Sequence, residues 1–474
     1  MKKWHYLALA GLTLALGTQA ADLAYPPESA FKRIVLAENP KKDPKGIVDP
    51  MELSVASDGR VFFAERRGFV KYLDPASGEV HTVGKVDVFT GLEDGLLGMT
   101  LDPHFEDNGW IYLFHSHPEL EENHVSRFTI KDGHLDLTSI KTLIRIKTQR
   151  LQCCHSGGSL NFDGDGNLYA SVGDNTNPFE SDGFSPSDER AERFPWDAQK
   201  SSSNMNDLRG KILRVHPLAD GTIEIPDGNL FPKDGSKGRP EIYVMGNRNP
   251  YRISIDQRTG FLYWGEVGPD AGSLKPGRGP AGFDEINQAR HAGFFGWPYF
   301  IGNNKAYTRY DFDNKKSLEP WDPDKPLNLS PNNTGGKELP PAQPAFIYYP
   351  HSLSARFPAV NAGGGRTAMA GPVYYHEDSL ESSHKLPAVF DHHLFIYEWS
   401  RNWIIAVKLG EDESIGNPRK DLHRFLPGMT FKRPMDMELG PDGCLYVIQW
   451  GTQWGDNSDT QIIRIEYHGD ASAG

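Results

Sequence analysis

A turn followed by a short strand recurs along the chain and limits its possible folds more than any other feature. Each copy has a glycine-containing turn and then a run of aromatic and β-branched residues, often with a second strand behind it. Where no long insertion intervenes, the copies lie about 50 residues apart, a period typical of repeat architectures with one small sheet per copy. The six copies lie near residues 58, 108, 164, 259, 391 and 442.

A propeller accommodates these repeats best, because its four-stranded blades stack radially and leave only short, protected edges. Helical patterns are nearly absent, and 49 glycines with 35 prolines suit a chain dense in turns. Two β-sandwiches are the alternative, but they would need a linker near the middle, where residues 241–300 are instead the richest in motifs. The sequence therefore predicts an all-β fold, a six-bladed β-propeller with long inserted loops.

Two long polar insertions interrupt the repeats, at residues 175–207 and 313–344. Loops of this length in a compact domain are usually functional or disordered. We expect both insertions to wall a site at one mouth of the propeller.

The first 20 residues have the pattern of a secretory signal peptide. Two lysines precede an apolar run from Tyr6 to Leu16, and small residues follow up to Ala20. The run is shorter than the roughly 18 apolar residues that a membrane anchor requires. We expect cleavage after Ala20, a single propeller domain over residues 21–474, no membrane span, and a periplasmic or secreted protein.

Charge and cysteine content exclude several classes of protein. The net charge is -13, and an acidic chain lacks the basic footprint of a nucleic-acid binder. Three cysteines are too few for a disulfide framework, and no C-x-x-C-H motif for haem attachment occurs. The adjacent Cys153 and Cys154 could form a vicinal disulfide in an oxidising compartment or could be two small buried residues, and the sequence leaves both open.

His155 directly follows the cysteine pair. Gly157 and Gly158 add no side-chain bulk, so a flat ligand could approach the imidazole closely. Histidine suits proton abstraction from a sugar hydroxyl because its ordinary pKa is near neutral. A structural, hydrogen-bonded histidine fits the same pattern.

Two further turns carry candidate ligands. In GNRNP, Arg248 has no acidic neighbour in sequence, so it could hold an anionic ligand or form a salt bridge at a strand end. In WGEVGPDAG, the carbonyls of Gly268 and Pro269 are oxygens of the kind that calcium binds, although a plain turn is the common alternative.

Seven segments taken together, in this order, resemble the glucose/sorbosone dehydrogenase family. The resemblance covers nearly the whole length after residue 20 and implies a soluble six-bladed propeller that uses pyrroloquinoline quinone (PQQ) with calcium. The segments are GLEDGLLGMTLDPHF (91–105), HSGGSLNFDGDGNLYASVGDN (155–175), NDLRGKILRV (206–215), YVMGNRNPYRISID (243–256), WGEVGPDAG (264–272), GFDEINQARHAGFFGWPYF (282–300) and PMDMELGPDGCLYV (434–447).

The resemblance implies roles for the candidate residues. HSGG matches the family's HNGG segment, which makes His155 the general base. Arg248 would contact the quinone carbonyl that becomes charged on reduction, and Asn249 would help to hold the cofactor. Glu93 matches a position that lines the substrate and cofactor pocket.

The resemblance also implies which residues bind the metal. The family's Gly-Pro turn supplies backbone oxygens to calcium, a role that passes to Gly268 and Pro269. Glu266 lies two residues earlier and is a possible additional ligand.

The chain departs from the better-known glucose oxidisers where those bind the cofactor's carboxylates. Their lysine is replaced by Ser400 beside Arg401, and of their arginine pair only Arg433 is present, with Met435 at the second position. Arg366, next to three glycines, could bind one carboxylate instead. Those relatives also carry an acidic residue immediately before the histidine, where this chain has a cysteine.

The leading hypothesis is an exported quinoprotein dehydrogenase that oxidises an aldose or a related hydroxy or aldehyde sugar. Hydride would pass to PQQ, and a separate acceptor, a cytochrome or a quinone, would take the electrons. A calcium-dependent propeller lactonase and a non-catalytic sugar- or protein-binding propeller are the alternatives, because fold alone separates none of these.

Overall fold

Six four-stranded antiparallel blades make up most of the computed structural model, which describes residues 24–455 and 457–469. The predicted six-bladed propeller is confirmed. The predicted signal peptide lies outside the described residues. Within the described part, no helix is long and apolar enough to cross a bilayer.

The blades follow one another along the chain, and each runs from an inner strand at the central channel to an outer strand. Blade 1 comprises Pro50–Val55, Val61–Glu65, Phe69–Leu73 and Val80–Lys85; blade 2 Leu96–Leu101, Trp110–Ser116, Glu122–Lys131 and His134–Lys147; blade 3 Gly157–Phe162, Leu168–Val172, Lys211–Pro217 and Ile242–Met245; blade 4 Pro250–Ile255, Leu262–Glu266, Phe283–Ala289 and Ile347–Pro350; blade 5 Ala368–Tyr374, His393–Glu398, Trp403–Lys408 and Leu422–Phe425; blade 6 Pro434–Leu439, Leu445–Gln449, Gln461–Tyr467 and Phe31–Glu38.

The remaining elements are short. Gly293–Phe294 pairs with the outer strand of blade 3 and Ile223–Glu224 with its third strand. Two small hairpins, Phe300–Ile301 with Lys305–Ala306 and Thr308–Asp311 with Lys316–Pro320, lie in the long connection within blade 4. One α-helical turn, Phe105–Asn108, and the 3-10 turns Glu28–Ala30, Phe194–Trp196, Ala198–Lys200, Pro358–Val360 and Ala388–Phe390 complete the described secondary structure.

Blade 6 closes the ring. Three of its strands come from the end of the chain, and the fourth, Phe31–Glu38, comes from the beginning and pairs antiparallel with Gln461–Tyr467. A closed ring leaves no blade face open to solvent at the junction.

The inner strands turn their free edges toward the channel, where unpaired backbone amides need acceptors. Acidic side chains of other blades supply them. These bonds join Asp436 to the amide of Leu53 (2.8 Å), Glu438 to that of Val55 (2.8 Å), Glu52 to those of Met99 (2.8 Å) and Leu160 (3.2 Å), and Asp284 to that of Ala368 (3.0 Å).

The fully buried Arg252 of blade 4 provides a positive charge that two of these carboxylates, those of Glu52 and Asp436, face. Its Nε donates to the carbonyl of Met435 (3.1 Å) and lies 3.6 Å from a carboxylate oxygen of Asp436, and its Nη2 donates to the carbonyl of Met51. One guanidinium therefore ties blades 4, 6 and 1 across the channel.

Replacing Arg252 by methionine should destabilise the protein by about 3–5 kcal/mol, because Glu52 and Asp436 would lose the buried cation that they face. Urea unfolding measures the change. Arg145→Met is the matched control: the Arg145 side chain is 62% exposed and pairs with Glu122 at 3.8 Å, so its loss should cost less than about 0.5 kcal/mol. Equal stability of the two variants would contradict the role given to Arg252.

Stability should fall as pH rises from 4.5 to 8. Burial, and then the charge of Asp436, raises the pKa of Glu438 from 4.5 to about 8. The folded chain therefore keeps a proton that the unfolded chain loses, which costs up to about 1.4 kcal/mol per pH unit for this group. Urea unfolding from pH 5 to 8 should show a shallower decline in Glu438→Gln than in the wild type. The exposed Glu319→Gln should keep the wild-type slope.

Candidate active site at the mouth of the channel

A cavity of about 570 Å³ opens where the inner strands begin. The insertion at 175–207 contributes Pro178 and Phe179 to its wall, as predicted. The expectation for residues 313–344 was wrong, since none of them lines this cavity. Asn328 and Ser330 instead hydrogen-bond to the other insertion, so the second loop braces the first.

The floor of the cavity is largely apolar. Met51, Met369, Met435 and Tyr251, from the inner strands of four blades, all line it. Arg252 binds the carbonyls of Met51 and Met435 from the channel side, so the floor is held in place by the charge beneath it.

His155 lines the cavity with only 6% of its surface exposed. Its Nδ1 lies 2.8 Å from a carboxylate oxygen of the fully buried Asp174. The other oxygen of Asp174 accepts from the indole N–H of Trp297 at 3.0 Å. Because a carboxylate can only accept, Nδ1 carries a proton toward Asp174, and in the neutral imidazole the free lone pair is therefore on Nε2.

The two glycines after His155 have different roles. Gly157 borders the cavity, as predicted. Gly158, with φ +116°, packs against Leu97, whose Cβ would lie 2.6 Å from an added side-chain carbon. The close approach there is therefore to a neighbouring blade and not to a ligand.

Arg248 and Asn249 line the same cavity, and their loop is bonded to the segment that carries His155. The amide of Asp174 donates to the carbonyl of Arg248 (2.8 Å), and the amide of Gly157 donates to Asn249 Oδ1 (3.0 Å). The Arg248 guanidinium, 5% exposed, donates through Nη1 to the carbonyl of Val267 (3.0 Å). Its buried Nε has no hydrogen-bond partner among the described residues.

Glu93 lines the cavity, whereas Glu266 lies behind its wall. The Glu266 carboxylate accepts from the backbone amide of Arg248 and from the indole of Trp264 (3.4 Å). Burial, and then the neighbouring Glu285, raises the pKa of Glu266 to about 8. Glu266 therefore holds the Arg248 loop from below.

The Gly268-Pro269 turn lies just outside the cavity wall, between Val267 and Asp270, which both line it. The Pro269 carbonyl accepts from Arg366 Nη2 at 2.8 Å, and a carbonyl oxygen has a second lone pair available. Arg366 also lies 3.6 Å from Asp284, so it is held behind the turn.

Arg401 and Arg433 are the other two arginines that were predicted to bind the cofactor. Arg401 donates to the carbonyls of Gly365 (2.9 Å), Val360 (3.0 Å) and Pro350 (3.1 Å), which makes it a brace between loops of blades 4 and 5. Arg433 lies beside an aromatic wall, with its guanidinium carbon 4.4 Å from the ring of Trp399, 5.7 Å from that of Trp450 and 5.3 Å from that of Trp454. All three rings line the cavity.

Several lining or supporting residues were missed from the sequence. Arg66 lines the cavity and donates to the carbonyls of Leu92 (2.8 Å) and Asp94 (3.1 Å), which fixes the loop of Glu93. Asp174 was missed as the partner of His155, although it lies two residues after the second strand of the same hairpin.

The adjacent cysteines, Cys153 and Cys154, are joined by a disulfide, and Cys444 is free and buried. Cys154 lines the cavity next to His155 with 8% of its surface exposed.

Sequence comparison finds a matching family and several relatives. A sequence profile described as glucose/sorbosone dehydrogenase matches residues 47–326. The aldose sugar dehydrogenase YliI of Escherichia coli K12 is 24% identical over 391 residues, 81% of this chain and 80% of that protein. Quinoprotein glucose dehydrogenase B of Acinetobacter calcoaceticus is 25% identical over 332 residues, 66% of this chain and 64% of that protein.

Solved structures share the fold. The soluble aldose sugar dehydrogenase of Escherichia coli in its apo form has 21% identity and a TM-score of 0.60, and the alignment covers 92% of this chain and 99% of that one. The PQQ-bound aldose sugar dehydrogenase of Streptomyces coelicolor has 19% identity and a TM-score of 0.59, with 93% and 99% covered.

Proposed function

This chain belongs to the glucose/sorbosone dehydrogenase family, and from that premise we propose that it is an exported, PQQ-dependent dehydrogenase of aldoses or related sugars. The observation that carries the proposal is that His155, with a free Nε2, and Arg248 border one cavity on loops bonded to each other. A base and a fixed cation at one pocket suit the removal of a proton and a hydride from the same substrate.

The residues fit PQQ, a flat quinone with three carboxylates. A volume of about 570 Å³ is within the range of cofactor and ligand sites. The methionine floor offers an apolar surface, and the unpartnered Nε of Arg248 offers a buried donor. Arg66 adds a second guanidinium to the wall, and Asn249 a side-chain amide.

The charges of the wall favour an additional cation. The wall carries three carboxylates, those of Asp49, Glu93 and Asp270, and two guanidiniums, those of Arg66 and Arg248. A tricarboxylate ligand would add further negative charge. Calcium, bound by oxygens of the turn after Val267, would offset it.

Within that turn, the carbonyls of Gly268 and Pro269 are the proposed ligands, and Asp270, which lines the cavity, could add a carboxylate. Glu266 is a weaker candidate, because its oxygens already accept from Arg248 and Trp264.

When bound, PQQ would supply the hydride acceptor. The chain's own residues would do the rest: His155 Nε2 accepts the proton of the sugar hydroxyl, and the charge of Asp174 stabilises the imidazolium that forms. Arg248 places positive charge where negative charge develops on the ligand. Electrons would then leave to a separate acceptor, a cytochrome or a quinone.

Replacing Asp174 by asparagine should lower kcat roughly 10²- to 10⁴-fold, because the amide no longer fixes the tautomer of His155 or stabilises its charged form. Steady-state dye reduction with PQQ-loaded protein measures kcat. The affinity for PQQ, followed by quenching of tryptophan fluorescence, should change by less than about threefold, since Asp174 is buried behind the imidazole. Asp165→Asn, in the exposed turn of the same hairpin, should match the wild type. An Asp174→Asn variant with wild-type kcat would remove His155 as the base.

Removing calcium with EDTA should weaken PQQ binding by roughly tenfold or more, because the cavity would then face a tricarboxylate with its own carboxylates uncompensated. The same fluorescence titration should recover its affinity on addition of Ca²⁺ and less so with Mg²⁺, which demands stricter octahedral geometry. Unchanged PQQ affinity in EDTA would reject the calcium site while leaving the PQQ site standing.

A further inference from the structure

Two histidines and a glutamate come together where the third strand of blade 6 ends. Glu466 lies in the strand Gln461–Tyr467, and His468 follows two residues later on the same face, because side chains alternate along extended backbone. His384 reaches them from the connection between the first two strands of blade 5. One ligand atom from each of the three side chains lies within 4.8 Å of the other two.

His384 is held against this strand by two hydrogen bonds with one residue. The amide of Tyr467 donates to the carbonyl of His384 (3.0 Å), and His384 Nδ1 lies 3.4 Å from the carbonyl of Tyr467. Because a carbonyl can only accept, Nδ1 carries a proton, and in the neutral imidazole the lone pair is on Nε2. Histidines that bind metals usually donate their other ring N–H to a backbone carbonyl or a carboxylate in this way.

The buried carboxylate of Glu466 is the second candidate ligand. Its Oε1 accepts from Arg464 Nε (2.9 Å), and its Oε2 lies 2.8 Å from His468 Nε2. Burial raises the pKa of Glu466, but the hydrogen bonds from His468 and Arg464 outweigh burial, and the net effect lowers that pKa. Glu466 is therefore anionic at neutral pH, and Arg464 supports it as a hydrogen-bond partner typically supports a carboxylate that binds a metal.

The two imidazoles are close enough to share one ion. The rings of His384 and His468 stack with their centroids 4.0 Å apart and 29° between their planes. In a tetrahedral zinc site the donor atoms lie roughly 3.3 Å apart, so the three side chains would have to close by up to about 1.5 Å. His468 has room to move, because it lies beyond the end of the strand and 25% of its side chain is exposed. The metal would replace the proton that its Nε2 directs at Glu466.

We propose that His384, Glu466 and His468 bind a divalent d-block ion such as Zn²⁺, and that this ion clamps the ring where it closes. Two imidazoles and one carboxylate suit zinc and its neighbours, whereas Ca²⁺ and Mg²⁺ prefer oxygen ligands alone. Three protein ligands leave one position for water, which the exposed side of His468 admits. This inference does not depend on the proposed function.

The position of the site gives the ion its structural role. Gln461–Tyr467 starts beside the residue that precedes Trp450, at the cavity, and ends on the opposite face of the ring. It pairs along its length with Phe31–Glu38, and the amide of His468 donates to the carbonyl of Ala30 (2.8 Å). A bound ion would therefore tie this seam, which joins the two ends of the described chain, to the neighbouring blade 5.

Zinc binding to the full chain, purified without an affinity tag and stripped of metal, tests the site by isothermal titration calorimetry. Excess Ca²⁺ in the buffer fills oxygen-rich sites, including the one proposed at the cavity, and should not compete here. We expect one Zn²⁺ per chain. His384→Ala and His468→Ala should each weaken binding at least about tenfold, because loss of even a supporting partner commonly costs 10- to 100-fold. His291→Ala, at an exposed histidine of blade 4, should match the wild type.

Two further measurements test the clamp. With Zn²⁺ at a hundredfold excess over its Kd, the unfolding midpoint of the wild type should rise by about 3 °C. Hydrogen exchange of the amides in Gln461–Tyr467 and Phe31–Glu38 should slow at least about tenfold. Neither change should occur in His468→Ala at the same Zn²⁺ concentration. Glu466→Gln, which keeps the shape of the side chain and removes its charge, should behave in the same way.

The outcomes separate the site from its role. A wild type that binds no Zn²⁺, or one whose affinity both histidine variants retain, would overturn the site, and the second result would identify adventitious binding to other histidines. Zn²⁺ binding that the variants abolish, without any slowing of exchange in the two strands, would overturn the clamp. His468→Ala decides these cases even if Glu466→Gln does not fold, because His468 is exposed and lies outside the strand.

Discussion

A single buried guanidinium, that of Arg252, makes the centre of this propeller possible. A ring of sheets brings the free edges of its inner strands together, and their amides must find acceptors away from water. This chain uses carboxylates such as Glu52 and Asp436, which concentrates negative charge in the channel. Arg252 offsets that charge and, through its bonds to the carbonyls of Met51 and Met435, fixes the floor on which a ligand would lie. Stability of the ring and support of the cavity floor thus have one origin.

The site itself is built on contacts between blades. His155 belongs to the start of blade 3 and Arg248 to the start of blade 4. Two hydrogen bonds link their loops, one from the amide of Asp174 to the carbonyl of Arg248 and one from the amide of Gly157 to Oδ1 of Asn249. The base and the cation are therefore carried by loops that brace each other. Rigidity of this kind is what a site needs if it is to hold reacting atoms in register. The tryptophan wall, by contrast, rises from blades 5 and 6 to Trp454, which is 79% exposed and lies at the rim.

The fold could be predicted because its signals are local: each turn and the strand behind it are contiguous in the chain, and six repeats imply six sheets. The gathering of His155, Arg248, Asn249 and Glu93 around one cavity was expected from motifs and resemblance. Contacts between distant segments leave no such local signal. The contact between Arg66 and the Glu93 loop is one example, because it depends on how two separate loops pack against each other. From the sequence, an Arg401 that donates to three carbonyls cannot be distinguished from an Arg401 that is free to bind the carboxylates of a ligand, because both roles require an arginine.

The way in which blade 6 is closed has a consequence for the order of assembly. Phe31–Glu38 leaves the ribosome first among the described strands, and its partner Gln461–Tyr467 leaves last. Blades 1 to 5 are complete in the chain before Gln461, but the ring cannot be closed until Gln461–Tyr467 is available to pair with Phe31–Glu38. The aromatic side of the pocket also waits for Trp450 and Trp454. A chain interrupted before blade 6 would therefore have an open ring and a pocket without its Met435, Trp450 and Trp454 side.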